Sequence, residues 1–447
     1  MTSLNKQKLF IKTWGCQMNV YDSARMADVL APLGYEQTDD QRQADLIILN
    51  TCHIREKASE KLFSELGRLH DVQVDRVKEE GVNVMIAVGG CVAQAVGEEI
   101  ARRAPYVGLI FGPQTYHQLP EMLARAAREG KVVLNTDFPV EPKFDFLPSA
   151  QGQRGSSAFL SVQEGCDRFC SYCVVPYTRG AEYSRPMADI VNDARELLRG
   201  GVKEITLLGQ NVNAYHDEGS GKKLADVIEA LASMPELLRL RYTTSHPLDM
   251  DEALIAAHRD VEKLMPFLHL PVQSGSDAIL DAMNRKHTVG DYRHVVELLR
   301  SVQPKLALSS DFIVGFPGET DKDFEATMQI VRDITYVQAF SFIYSRRPGT
   351  PAAAMKNQID EKVKKERLAE LQKLLRDQQI AFNNQAVGQV MSVLLETPHP
   401  EKGHIFGRSP YMQAVRVKGC DPSQVGQEVQ VQITCAFANS LAGDAVK

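Results

Sequence analysis

The stretch Gly165-Cys166-Asp167-Arg168-Phe169-Cys170-Ser171-Tyr172-Cys173 decides how the rest of the chain is read. Three thiols fall within eight residues at the spacing Cys-x3-Cys-x2-Cys. A cubane of four irons takes soft thiolate ligands at its corners. Three clustered cysteines fill three corners and leave one iron open, able to chelate a ligand and pass it an electron. Zinc is the competing reading, since Cys-x2-Cys pairs also ligate zinc. Zinc wants a fourth Cys or His, and the nearest histidine after Cys173 is His216.

The chain around this loop has 447 residues, long enough for about two to four domains with their own cores. A formal net charge of −6 gives no bulk positive field that would advertise a nucleic-acid partner. Eight cysteines in a chain this long do not make a disulfide scaffold. Their placement beside Gly-containing turns reads as metal ligation in a reducing compartment. The opening MTSLNKQKLFIKTWG lacks an uninterrupted apolar core, so no signal peptide is expected. No run approaches about 18 apolar residues, so no transmembrane helix is expected either. These readings predict a cytoplasmic protein with no membrane partner.

Upstream of the loop one unit repeats three times. Strands are predicted at 8–13, 45–50 and 83–88, followed by helices from about Tyr21 to Leu33, over 54–69 and over 94–104. Such alternation argues for parallel βα units. In a parallel sheet the carboxyl ends of the strands share one edge, where ligands bind. Cys16, Cys52 and Cys91 each sit just past a predicted strand, separated by 36 and 39 positions, and so converge on one spot. Gly15, Gly89 and Gly90 let backbone approach a bulky cluster there. The alternative is three buried, inert thiols. A fourth strand is predicted at 106–111 and a helix near 116–129. Residues 135–157, rich in Pro, Gly and polar residues, read as a linker.

Downstream, apolar runs at 158–162, 204–208, 238–243, 267–272, 306–314 and 337–344 alternate with helical stretches. Six βα units make an open, three-quarter barrel whose site lies at the carboxyl ends of the strands. The loop at Cys166 follows the first of them. A long amphipathic helix over 359–382 carries Lys362, Lys364, Lys365 and Arg367 near its start, a phosphate-meeting cluster or a solvated face. The last stretch, 384–447, reads as a small antiparallel β-barrel in which five basic residues offset five acidic ones, so charge alone does not argue for RNA. Cys420 and Cys435 read as packing or loop residues. The expected fold class is therefore multidomain α/β: an N-terminal parallel domain (6–134), an open (β/α)6 core (158–382) and the barrel.

The Cys-x3-Cys-x2-Cys spacing resembles that of the radical S-adenosylmethionine enzymes. The resemblance implies that the open iron binds the methionine moiety and that the reduced cluster releases a 5′-deoxyadenosyl radical. Polar residues just past the later strands then become cofactor candidates: Gln210, Asn211 and Asn213, then Thr244 and Ser245, then Gln273 and Ser274, then Asp311 with the segment Gly315-Phe316-Pro317-Gly318. Amides and hydroxyls suit methionine and ribose groups, although each is also an ordinary turn residue. Tyr172 stands where an aromatic contacts adenine in these enzymes. His246, before a proline, reads as structural.

Together the segments TWGCQMN (13–19), NTCHIREKA (50–58), GGCVAQ (89–94), GCDRFCSYCVVPYTRGAEYSR (165–185) and LLGQNVNAY (207–215) resemble the methylthiotransferase family over nearly the whole chain. The C-terminal barrel resembles that family's TRAM domain, an RNA-binding module. The resemblance implies two [4Fe-4S] clusters, one on Cys166, Cys170 and Cys173 that generates the radical, and one on Cys16, Cys52 and Cys91 that carries sulfur, methylated by a second S-adenosylmethionine. CQMN and VVPYTRG are most similar to members that methylthiolate carbon 2 of N6-isopentenyladenosine beside the anticodon of tRNA. Relatives act on threonylcarbamoyladenosine in tRNA or on an aspartate of a ribosomal protein, and a non-catalytic iron–sulfur RNA-binding protein is the reading from another class. An unactivated aromatic C–H is too weak an acid for side-chain bases, so no catalytic residues are expected beyond the cluster ligands. The partners implied are tRNA and an electron-donor protein, with the chain acting as a monomer. Phe340, Phe342 and Tyr344 alternate along the sixth strand, with Arg346-Arg347 behind them, and are candidates to stack a base or to fill the core.

Overall fold

The computed structural model describes residues 7–52, 58–148 and 155–446. They divide into two compact units. The first holds the described part of Met1–Gln153 together with Glu164–Cys166 and Val174–Glu182, and the second holds the rest.

In the first unit six strands form one parallel sheet: β1 (Gln7–Trp14), β2 (Tyr35–Gln37), β3 (Leu46–Thr51), β4 (Met85–Gly90), β5 (Leu109–Phe111) and β6 (Val133–Asn135), in the order β2-β1-β3-β4-β5-β6. The segment LIILNT of β3 is buried throughout, as expected of a strand covered on both faces. Its side chains alternate: Leu46 and Ile48 pack with Leu9, Met26 and Phe111, while Ile47 and Leu49 pack with Leu62, Leu66 and Val88. Helices Gln17–Leu30, Ala58–Glu80, Cys91–Arg103 and Leu119–Glu129 supply those two layers. The first and third helices start earlier than their periodicity predicts, at Gln17 and Cys91, so that Cys16 and Cys91 stand at helix N-termini. Residues 54–57 of the second predicted helix lie outside the described residues. β2 and β6 were not predicted. Each is only three residues long, too short to show a period, and β6 reaches the first residue of the stretch read as linker.

In the second unit lie β7 (Ser157–Ser161) and the two-residue strand β9 (Tyr183–Ser184); in sequence β9 and another two-residue strand, β8 (Gln163–Glu164), flank the thiol loop. The core strands that follow are β10 (Glu204–Leu208), β11 (Arg239–Tyr242), β12 (Phe267–His269), β13 (Ala307–Val314) and β14 (Gln338–Ile343). Parallel pairing gives β7-β10-β11 and β12-β13-β14, and a parallel bridge between Leu240 and Leu264 joins the two halves. This is the open (β/α)6 arrangement. The fourth strand is shorter than predicted and stops ahead of Pro271, which has no amide for the ladder.

The last strands, β15 (Val390–Pro398), β16 (His404–Arg408), β17 (Ala414–Lys418), β18 (Glu428–Ala436) and β19 (Ser440–Ala445), close into a barrel in the order β15-β16-β17-β19-β18. The expected antiparallel barrel is present with one parallel pair in it, β17 with β19. A closed ring with an odd number of strands cannot alternate direction all the way round. Fully buried Arg239 of β11 ties the barrel to the core: it donates to Glu428 at 2.6 Å, to the Arg408 carbonyl at 2.6 Å and to the Ser392 carbonyl at 3.1 Å.

The helix Glu361–Gln385 corrects both readings of its basic start. Lys364 and Arg367 are buried, Arg367 pairing with Glu319 at 2.6 Å and Asp321 at 2.7 Å, so the two form neither a phosphate face nor a solvated one. Lys362 and Lys365 are the exposed pair.

Candidate functional site

In the first unit the register sets Trp14 beside Thr51 and Thr51 beside Gly90, so the three strands end level. Cys52 and Cys91 are the next residues of their strands, and Cys16 follows one residue later, after Gly15. The Cys52 amide donates to the Trp14 carbonyl at 3.1 Å. Gly15 has φ +136°, and a β-carbon there would collide with that of Cys52. Gly90 has φ +90° and is closed in by Asn50 and Thr51. Both positions need glycine.

The three thiols share hydrogens. Cys52 hydrogen-bonds Cys16 and Cys91, and this bond, followed by the charge of Arg179, holds Cys16 at about 7 and Cys91 at about 6 against burial that opposes both. Cys52 is driven far upward by the same two bonds. The Cys16 thiol also reaches Asn19 Oδ1 at 3.2 Å, and Asn19 and Asn50 are locked together at 3.0 and 2.8 Å. Among the described residues no three His, Cys, Asp or Glu side chains close around a single metal ion. A cubane spreads its thiolates over separate irons, and soft sulfur donors at a glycine-lined sheet edge fit that demand.

Sequence reasoning missed the charges beneath this set. Arg179 donates to Asp22 at 2.5 Å and Glu164 at 2.8 Å, and Lys143 donates to the same Glu164 oxygen at 2.7 Å. All four side chains are almost fully buried. Gln114 adds a 2.7 Å bond to the Arg179 carbonyl. Two cations and two anions thus neutralise one another, as buried charges must. Glu164 and Arg179 flank the thiol loop in sequence, and no spacing rule links them to Asp22 or Lys143. Cys166 belongs to this unit as well, its amide donating to the Gly180 carbonyl at 3.3 Å, and Gly165 (φ +74°) leaves no room for a side chain beside Ala181.

In the second unit the loop around Cys170 and Cys173 is pinned through its backbone. Ser171 donates from its amide to the Met283 carbonyl at 3.0 Å and from its hydroxyl to the Ala282 carbonyl at 2.8 Å. Asn284 donates to the Phe169 carbonyl at 2.9 Å, and Phe169 takes the left-handed φ of +47°. Buried Arg285 places Nη1 3.7 Å from the Cys170 sulfur and Nη2 2.8 Å from the Pro271 carbonyl. Tyr172 is partly buried against the cluster of Phe316, Tyr344 and Met283, and burial, then the neighbouring Cys170, keeps its hydroxyl protonated.

The polar candidates line the carboxyl ends of the strands. The amides of Gln210 and Asn211 both donate to Gln163 Oε1, at 2.9 and 3.2 Å, which makes Gln163 a positioning residue that sequence reasoning missed. Asn211 donates to Asp249 at 2.8 Å, and Asp249 also pairs with Arg168 of the thiol loop. Asn213 and His246 exchange two bonds of 2.8 Å, so Asn213 is a brace between loops. Thr244 and Gln273 take φ of +68° and +76°, the kind of backbone strain that clusters at functional sites. The Gln273 amide donates to the Asp311 carbonyl at 3.0 Å, and the Asp311 carboxylate lies 3.6 Å from His269. Asn211 Oδ1, Ser245 Oγ and His246 Nε2 are buried without a hydrogen-bond partner. Buried polar atoms are nearly always paired, so these are atoms that a polar ligand would complete. His246, read as structural, is held neutral, pushed down to about 2 by burial first and then by Arg285 and Arg168.

Comparison with known proteins divides the chain in three. Residues 8–112 match an uncharacterized protein family, UPF0004; residues 160–331 match the radical SAM superfamily; residues 384–446 match the TRAM domain. This order of domains fits the methylthiotransferase family. The central match supports an enzyme and implies a [4Fe-4S] cluster and S-adenosylmethionine, and the TRAM match suggests RNA binding. Among solved structures, the cobalamin-dependent S-adenosylmethionine radical enzyme OxsB, with aqua-cobalamin and S-adenosylmethionine bound, aligns with a TM-score of 0.56 at 12% identity over 83% of this chain and 56% of its own. The radical S-adenosylmethionine methyltransferase TsrM from Kitasatospora setae, with cobalamin and a [4Fe-4S] cluster bound, aligns with a TM-score of 0.56 at 13% identity over 78% of this chain and 74% of its own. At these identities the likeness is one of fold, and the chain spans little more than half the length of OxsB. Among the described residues no helix is long and apolar enough to cross a membrane.

Proposed function

We propose that the protein is a methylthiotransferase acting on carbon 2 of N6-isopentenyladenosine beside the anticodon of tRNA. The observation that carries the reading is the second thiol set. Three strands end level, and each delivers one cysteine to the same edge, where the three share hydrogens. A radical enzyme that only abstracts hydrogen has no need of it. When bound, the cluster on Cys166, Cys170 and Cys173 would supply a 5′-deoxyadenosyl radical from S-adenosylmethionine, and the group on Cys16, Cys52 and Cys91 would supply the sulfur.

The chain's own residues hold and orient. Tyr172, Gln210, Asn211, Asn213, Ser245 and Gln273 line the S-adenosylmethionine site, with Asp311 at its border; Asn211 Oδ1 and Ser245 Oγ accept its polar groups, and Gln163 and Asn213 fix the loops that carry them. The hydrogen bond with Cys52 and then the charge of Arg179 favour the anionic, ligating form of Cys16 and Cys91. The closed barrel engages tRNA, and an electron-donor protein supplies reducing equivalents.

The test is mass spectrometry of nucleosides from isopentenylated, unthiolated tRNA incubated anaerobically with reconstituted protein, S-adenosylmethionine, sulfide and a reductant. The expected product is 2-methylthio-N6-isopentenyladenosine. Formation of 5′-deoxyadenosine without it would redirect the substrate to threonylcarbamoyladenosine or a ribosomal-protein aspartate. Neither product from intact, reducible clusters would overturn the enzymatic reading.

A further inference from the structure

β14 is the last strand of the open sheet and pairs only with β13, setting Asp311 beside Phe340 and Ile313 beside Phe342. Directly paired residues share a face, and residues two apart share it too. The opposite face of β13 is closed, with Leu308, Phe312 and Val314 fully buried. The shared face is open: Phe340 is 48% exposed and Phe342 38%, among the most exposed aromatic side chains of the described residues. Tyr344, the next of the series, is buried and belongs to the core. The sequence pattern of three alternating aromatics therefore splits into two open rings and one packed one.

This face is not merely apolar. His269 stands with its ring 6.3 Å from that of Phe340 at 72°, its Nδ1 2.9 Å from Ser309 Oγ and its Nε2 3.6 Å from Asp311. Ile313 packs against the same cluster as Tyr172 of the thiol loop, so the wall runs continuously into the candidate site. Arg346 and Arg347 follow the strand, Arg346 exposed. Rings at positions two apart on a strand stand about 6.8 Å from each other, roughly twice the thickness of a flat aromatic ring.

We infer that Phe340 and Phe342 hold one unstacked purine of the RNA substrate, with the Asp311–His269 pair meeting its polar edge and Arg346 its backbone phosphate. This deepens the proposed function and rests on its reading of the substrate as RNA. The wall supplies a flat apolar slot, an acceptor and donor at its rim and a cation beyond it, which is the chemistry of a splayed base. An apolar peptide side chain would use the rings and leave the pair and the arginine idle.

The test uses the full reconstituted chain and an anticodon stem-loop carrying 2-aminopurine at the target position. Dye anisotropy reads binding, and 2-aminopurine emission reads stacking. We expect the wild type to bind and quench, the F340A/F342A variant to bind about tenfold or more weakly and lose the quench, and F340Y/F342Y to keep both. Wild-type quenching in F340A/F342A overturns the wall while leaving the tRNA reading intact, and full retention by F340L/F342L overturns stacking as its principle. Failure of the wild type to bind the stem-loop overturns the wall and its premise together. Melting temperatures of the variants, expected to match wild type because both rings are exposed, separate loss of binding from loss of fold.

Discussion

The two thiol sets differ in how they are made. Cys166, Cys170 and Cys173 lie within eight residues of one another in the chain, and the segment around Cys170 and Cys173 takes a left-handed turn at Phe169, whose carbonyl accepts from Asn284. Cys16, Cys52 and Cys91 come from three strands and meet only because the sheet ends level. Cys170 is itself buried, with the Arg285 guanidinium 3.7 Å from its sulfur, whereas Cys16 and Cys91 of the dispersed set feel the charge of Arg179. One is legible in nine letters, and the other exists only once about ninety residues have folded.

Single Cys→Ala changes should separate the two most sharply. Cys166→Ala should abolish 5′-deoxyadenosine and methylthiolated product together. Cys52→Ala should keep 5′-deoxyadenosine formation while losing the product. If both variants lose both readouts in well-folded protein, the division of labour is wrong.

The buried network comes next. Arg179→Gln leaves buried Asp22 and Glu164 with Lys143 as their one remaining cation and should destabilise the first unit by about 3–5 kcal/mol, read from thermal or denaturant unfolding. A variant within about 0.5 kcal/mol of wild type would remove the network from the account of the site. Gly15→Ala should lose roughly 1–3 kcal/mol through its left-handed backbone and, because of the collision with Cys52, lower iron at Cys16, Cys52 and Cys91 while sparing Cys166, Cys170 and Cys173. Equal iron loss from both sets would speak against the local cause.

Thiol chemistry in iron-free protein sharpens the picture. The thiolate fraction of Cys16 rises as pH passes about 7, because the hydrogen bond with Cys52 holds this thiol below the ordinary 9.0, so alkylation should be half-maximal near neutrality. Cys52, pushed upward, should stay protected under the same conditions. Peptide mapping showing Cys52 modified first would contradict the shared-hydrogen arrangement. The smallest effect is expected at exposed Lys365, where Ala should change stability by no more than about 0.5 kcal/mol. Arg367→Ala, two residues on, should destabilise clearly, since it leaves buried Glu319 without its partner.

Much of the fold was readable in advance because its signals are local. Continuous apolar runs such as LIILN and Cys-x3-Cys-x2-Cys depend on near neighbours, so the three-strand repeat, the six core strands and the loop after β7 could be placed from letters alone. The three-residue strands could not, and neither could the single parallel pair of the barrel, which comes from the requirement that an odd ring close. The basic start of the long helix was misread for a related reason: whether Arg367 meets water or Glu319 depends on residues 48 positions away.

The sequence by itself determined which chemistry is available: six cysteines in two patterns, a run of amides and hydroxyls after the strands, and three alternating aromatics near the end of the core. Tertiary structure alone decided which of these act together. It set Arg179 against the dispersed thiols, made Gln163 the anchor for Gln210 and Asn211, and left Asn211 Oδ1 and Ser245 Oγ without partners. It also opened Phe340 and Phe342 while burying Tyr344. The reason is physical: side-chain type is carried along the chain, but burial, pairing and charge environment are properties of a point in space, shared by residues that the chain keeps far apart.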